Sequence, residues 1–296
     1  MFDLIVQVLV FGVFVAAIYS LQALGFNIVV GAMRILNLAH AEFVVLGAYI
    51  SYWAWVFFGF NPIQSIPLSA LLGVITGLVS YDFLIKRLVY SADVALVATF
   101  ALSLVLKEGM KIFWTANYRG IPWTLGSISF NGITVPITYI YTLIGSLVLI
   151  LAVYIIMYKT YFGKACRAVA FDRETAAICG VNVERILRYG FAFSSCLAFV
   201  SGNLLTVYIS SGINPYMGQV IMVKCLIIVT LGGLGNPWGA LIGGLTIGML
   251  EQIIPVVLMN YVPNIEPFMF TPFIYSLIFI LILLLKPEGI LGGGVQ

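Results

Sequence analysis

Residues 137–158 read Ile-Thr-Tyr-Ile-Tyr-Thr-Leu-Ile-Gly-Ser-Leu-Val-Leu-Ile-Leu-Ala-Val-Tyr-Ile-Ile-Met-Tyr, without one charged side chain. A helix needs about 20 apolar residues to cross the hydrocarbon core of a bilayer. It also satisfies its own backbone N–H and C=O groups, which lipid cannot do. A membrane barrel would show short alternating segments instead. The stretch reads as a membrane helix, and its surroundings are of the same kind. The chain of 296 residues is 62% hydrophobic and 8% charged, with a mean hydropathy of +1.12. That balance excludes a soluble domain. The fold class is all-α: a polytopic helical membrane protein, one transmembrane domain over 1–296.

Working outward in both directions, the apolar runs predict nine transmembrane helices, at about 4–30, 42–58, 66–84, 94–114, 137–158, 189–209, 220–231, 238–259 and 268–285. The first run exceeds one straight span of average thickness, so it is expected to tilt or to end near Gly25. No Lys or Arg precedes Leu4, so the run lacks the basic region of a signal peptide and is expected to be retained. Asn131-Gly132 between short alternating runs predicts a β-hairpin. Helices 1–4 and 6–9 would form two sets of opposite orientation, an inverted repeat of the kind found in transporters.

Basic residues orient the chain. Lys159, Lys164, Arg167, Arg173, Arg185 and Arg188 fall in one loop, which the positive-inside rule assigns to the cytoplasm. Alternation then places the N-terminus outside and the C-terminus in the cytoplasm, in a plasma (inner) membrane. The basic clusters report topology rather than a nucleic-acid partner. Cys166, Cys179, Cys196 and Cys225 form no CxxC pair and His40 is the only histidine, so no metal site or disulfide framework is expected. No HExxH, GxSxG or Walker sequence occurs, so neither an enzyme nor a nucleotide site is expected in this chain, and no cofactor.

Three constellations break the apolar pattern. Arg34, Asn37, His40 and Glu42 fall within nine residues. Charges inside a bilayer cost about 2.5–3.5 kcal/mol each on insertion scales, so such a block lines a substrate path, serves catalysis, or pins helices together. The second is the basic loop. On a helix, Ala165, Val169 and Ala176 share a face of small side chains opposite Lys164, Arg167, Phe171 and Glu174, and Gly180 ends the pattern. It reads as a helix docked by its small face, with Arg167, Phe171 and Glu174 left for a partner, or as a solvated basic loop. The third is Gly232-Gly233-Leu234-Gly235-Asn236-Pro237, which breaks a helix beside small residues at Gly239, Gly243 and Gly244. It marks either a discontinuous span on the path or a tight turn before a closely packed helix.

The blocks at 34–49, 163–180 and 232–244 and the ending Lys286-Pro287-Glu288-Gly289-Ile290-Leu291-Gly292 occur in that order. The chain thereby resembles the branched-chain amino acid permeases of bacterial and archaeal ABC importers, in their LivH-type form. Ala41 after His40 departs mildly, since that position is often Gly in the family. The resemblance implies a pairing with a homologous second permease subunit, two ATP-binding cassette subunits and an extracytoplasmic substrate-binding protein. It implies import of branched-chain or other small amino acids. Related permeases carry urea or short amides, and a facilitative channel is the rival outside the class. It also assigns Gly163, Arg167, Asp172, Ala176 and Gly180 to the loop that docks on an ATPase.

Overall fold

The computed structural model describes residues 2–89, 91–130, 133–209, 212–261, 266–286 and 289–291. Its helices are α1 (Phe2–Met33), α2 (His40–Phe58), α3 (Ile66–Ser80), α4 (Lys86–Leu88), α5 (Ala92–Trp114), α6 (Ile137–Lys159), α7 (Tyr161–Phe171), α8 (Arg173–Ile178), α9 (Val183–Tyr208), α10 (Met217–Gly232), α11 (Pro237–Tyr261) and α12 (Pro267–Leu285). A π-helical turn, Tyr81–Ile85, joins α3 to α4. Two short strands, β1 (Ser127–Phe130) and β2 (Ile133–Pro136), pair antiparallel with Phe130 opposite Ile133. That is the expected hairpin; its turn, Asn131-Gly132, lies outside the described residues, as do Pro263, Pro287, Glu288 and Gly292.

The chain is an all-helical polytopic membrane protein. Among the described residues, six helices are long and apolar enough to cross a bilayer, by length and composition: Val6–Met33, His40–Phe58, Ile66–Leu88, Ile137–Lys159, Val183–Tyr208 and Pro237–Tyr261. Shorter apolar helices run over Met217–Gly232 and Met269–Leu285. The expected first span does not stop near Gly25: α1 runs unbroken to Met33. The sixth begins at Val183 rather than Tyr189, because the Asn182 side chain accepts the Arg185 N–H at 3.0 Å and caps the helix there.

The core is built around α9 and α1. Helices α2 and α3 pack on α9, and α11 packs along α1. Close approach needs bare backbone at the crossings. A Cβ at Gly47 would overlap the Phe199 carbonyl, and one at Gly202 the Val44 carbonyl. Gly73 and Gly77 of α3 lie against Cys196, Phe199, Ala192 and Ser195 of α9; Gly244 and Gly248 of α11 lie against Ser20 and Ala16 of α1.

Two helices start inside the fold. Residues 34–39 run back along α1, so that His40 opens α2 beside the Gln22 carbonyl at 3.1 Å, about 16 Å short of the end of α1 at 1.5 Å per residue. The first turn of helix α10 sets Gly218 against the Glu42 carboxyl group.

Candidate functional site

The break after α1 is made by local chemistry. Arg34 takes a left-handed backbone (φ 53°), a conformation rare in side chains larger than Gly, Asn or Asp. The Asn37 Oδ1 accepts the Ala39 N–H at 3.1 Å, and the Asn37 carbonyl accepts the His40 N–H at 3.1 Å. This turn launches α2. Thr99 of α5 mends the interrupted backbone: its Oγ1 accepts the Leu38 N–H at 3.3 Å and lies 3.1 Å from the Leu36 carbonyl. A second turn of the same design precedes α10. There the Asn214 Oδ1 accepts the Tyr216 N–H at 3.0 Å and its carbonyl accepts the Met217 N–H at 3.3 Å.

The four polar residues of the first block part company. Arg34 is exposed and donates to the Phe171 carbonyl at 3.3 Å. Asn37 serves the turn. His40 is fully buried between α1 and α9, with Nε2 on the Gln22 carbonyl and Nδ1 3.5 Å from the Ser194 Oγ. A carbonyl only accepts, so Nε2 carries the proton. Glu42 is 2% exposed; the Ser103 hydroxyl reaches Oε1 at 3.4 Å, and Oε2 has no partner.

The basic loop is two helices, not the single one expected. The backbone turns extended at Asp172 (φ −153°), whose carboxylate accepts the Glu174 N–H at 2.9 Å and the Thr175 hydroxyl at 2.6 Å. Those donors hold the Asp172 carboxyl below its ordinary range. A depressed carboxyl supports the fold above its unfolded value, about 3.9, and loses that support only as the pH falls through the lower folded value. Gly180 (φ 82°) ends α8, and Ala176 is buried as expected. Gly163 fits under the Met157 carbonyl where a Cβ would not. Arg167 is exposed, and its guanidinium bonds the Met157 carbonyl and lies 5.1 Å over the Tyr158 ring. Phe171 is 68% exposed.

The helix pair is fastened to the break. Arg173 donates to the Met33 carbonyl and, at 3.1 Å, to the Val89 carbonyl. It thereby takes up a C-terminal carbonyl of α1 that helix geometry leaves open. Arg34, Arg167, Phe171, Gly235 and Pro237 line one cavity of about 520 Å³. The structure thus brings together one member of the polar block, four residues of the loop and three of the Gly-rich break, Cys166, Ala170 and Leu234 being the others. Asn37, His40, Glu42, Asp172, Ala176, Gly180, Gly232 and Gly233 do not line it. Gly232 abuts Gly239, and Gly233 turns at φ 108°.

Three features were not read from the sequence. Asn27 clasps the Gly-rich break, donating to the Asn236 carbonyl and accepting the Gly235 N–H, both at 2.7 Å. Residues 290 and 291 donate to the carbonyls of Leu231 and Gly232 at 2.7 and 3.2 Å, capping α10. Lys224 of α10 reaches Tyr19 Oη at 2.6 Å and Glu251 Oε1 at 2.7 Å, an ion pair inside the apolar body. In the sequence Lys224 is masked by its apolar neighbours.

A family profile described as the permease component of branched-chain amino acid transport systems matches residues 8–286. The chain belongs to the branched-chain amino acid permease family. This permease is 27% identical to the high-affinity branched-chain amino acid transport system permease protein LivH of Salmonella typhimurium, over 95% of this chain and 93% of that one. It is 27% identical to BraD of Pseudomonas aeruginosa, over 97% and 95%. It is 29% identical to a probable LivH of Methanocaldococcus jannaschii, over 94% and 90%. No solved structure gives a significant match to the permease.

Proposed function

We propose that this permease is the membrane subunit of an ATP-driven importer of branched-chain or other small amino acids. It works with a homologous second permease, two ATP-binding cassette subunits and an extracytoplasmic binding protein, in the inner membrane. Nine spans run from an outer N-terminus to a cytoplasmic C-terminus. Helices α7 and α8 dock on an ATPase. The residues from Arg34 to Glu42 line or gate the path, and Gly232–Pro237 is its second broken helix.

The observation that carries this reading is the fastening of the basic helix pair to the interrupted helix, through Arg173 to Met33 and Arg34 to Phe171. A force on α7–α8 is delivered to the segment that positions Asn37, His40 and Glu42. Two related halves are supported by the packing. Gly73/Gly77 on α9 repeats as Gly244/Gly248 on α1, four residues apart in both, and the Asn37 turn repeats as the Asn214 turn.

The test is uptake by the four-subunit complex reconstituted in liposomes with its binding protein. Leucine accumulation above the external concentration, dependent on ATP, is expected. Equilibration without ATP would return the facilitative channel.

A further inference from the structure

The cavity that holds Arg34 and Arg167 has an extension. The cavity itself, about 520 Å³, is walled by the ends of α1 and α6, by α7 and by the Gly-rich break. A further pocket of about 280 Å³ lies between α1, α6 and α11. Pro237 lines both. On α1 the wall passes from Leu24 in the pocket to Asn27 in the cavity, and on α6 from Tyr154 to Met157. Residues three apart are neighbours on one helix face. The two spaces therefore run end to end along the same helices.

Their chemistry differs. The smaller pocket has no charged side chain on its wall. Leu147 and Leu151, which line it, are 50% and 57% exposed. It thus opens sideways, along a helix long and apolar enough to cross a bilayer. Tyr154 and Trp238 meet there edge to face at 5.2 Å, and such rings gather where bilayer meets water. The larger cavity carries two guanidinium groups and no acidic side chain. Arg34 donates to the Phe171 carbonyl and Arg167 to the Met157 carbonyl. A guanidinium has five N–H donors, and among the described residues neither group forms an ion pair. Asp172 feels the charge of Arg34, but its oxygens accept from Glu174 and Thr175 and it stays off the cavity wall. Arg34 also stands at a positive φ, where Gly would fit without strain. Strain of that kind gathers at ligand sites.

We infer that the joined spaces hold one anionic phospholipid. Its phosphate sits on Arg34 and Arg167, and an acyl chain runs past Pro237 into the groove between α6 and α11. Guanidinium forks match phosphate oxygens, and basic pockets between membrane helices suit anionic head groups. A soluble anion would use the arginines and leave the apolar groove empty. The lipid touches α7, the end of α1 and the Gly-rich break together. This site needs only the membrane fold and stands whatever the permease carries.

The test is native mass spectrometry of the full permease, delipidated in detergent and titrated with phosphatidylglycerol or phosphatidylcholine of the same acyl chains. One phosphatidylglycerol is expected to be retained per chain, at least about tenfold more tightly than phosphatidylcholine, because two cations meet its head group. Arg34→Gln with Arg167→Gln is expected to erase that preference. Arg87→Gln with Arg185→Gln removes the same charge from exposed positions off the cavity and is expected to keep it. Arg34→Lys with Arg167→Lys is expected to keep a weaker preference, and decides the matter should the first pair fail to fold. Glycerol 3-phosphate, a head group without chains, is expected not to displace the lipid. Equal binding of the two lipids, an unchanged preference without the two cavity arginines, or displacement by glycerol 3-phosphate overturns the site. Loss of the preference in the Arg87 and Arg185 pair would reduce it to general basic attraction. Loss of the retained lipid on binding a second permease subunit would make the groove a subunit interface and overturn it too.

Discussion

Asn27 holds more of the molecule together than its place in an apolar run suggests. Both ends of its amide are used, on backbone groups of residues 235 and 236. Asn27→Leu is expected to leave one N–H and one C=O without partners, lowering stability by about 2–4 kcal/mol. A falling thermal midpoint of the purified permease would register it, and an unchanged midpoint would remove the clasp. The cysteines give a sharper contrast. Burial pushes the Cys166 thiol up to about 12, against the opposing charge of Arg167, while Cys179 is exposed. Only the thiolate alkylates readily. Maleimide at neutral pH is expected to label Cys179 and spare Cys166, and to reach Cys179 from the cytoplasmic face alone. Labelling from outside would reverse the proposed topology. The polar block of Arg34 to Glu42 was visible in the sequence because charges are scarce there. Asn27 and Lys224 were not, since what sets them apart is a partner on a distant helix: 209 positions away for Asn27 and 205 for the Tyr19 that Lys224 meets.

Among the elements, α9 is the hub, and its glycines divide by what they face. A Cβ at Gly202 meets the backbone of α2, whereas one at Gly190 meets nothing within 4 Å. Gly202→Leu is therefore expected to prevent α2 from seating and to abolish membrane assembly. Gly190→Ala is expected to be neutral or to stabilise by about 0.5–1 kcal/mol through helix propensity. Membrane yield and thermal midpoints of the two variants check the pair. The apolar runs foretold the helices well, because span length and hydropathy are properties of a single segment. The expected single helix over 163–180 failed at Asp172. Its spacing to Thr175 carries the capping signal, but the small-residue pattern runs on through it. The return of residues 34–39 into the fold was beyond reach as well. It depends on Thr99 of α5 and on the Gln22 carbonyl of α1, contacts that no local pattern encodes.

For the molecule as a whole, two internal attachments stand out. The Lys224–Glu251 pair, with side chains 12% and 26% exposed, ties α10 to α11 and, through Tyr19, to α1. Lys224→Met strands a carboxylate and is expected to destabilise by on the order of 2 kcal/mol, less than the 3–5 of a fully buried pair. Lys224→Met with Glu251→Leu is expected to recover most of that loss. Equal losses in the single and double variants would show that the pair contributes packing rather than charge.

The other attachment is the Arg173 clamp between the basic helix pair and the end of α1, and the whole account turns on it. The direct measurement is the ratio of leucine imported to ATP hydrolysed by the reconstituted complex carrying Arg173→Met. The account predicts hydrolysis near the unaltered rate with uptake reduced at least about tenfold, because the ATPase still docks while its motion no longer reaches the break at Met33. An unchanged ratio would contradict it.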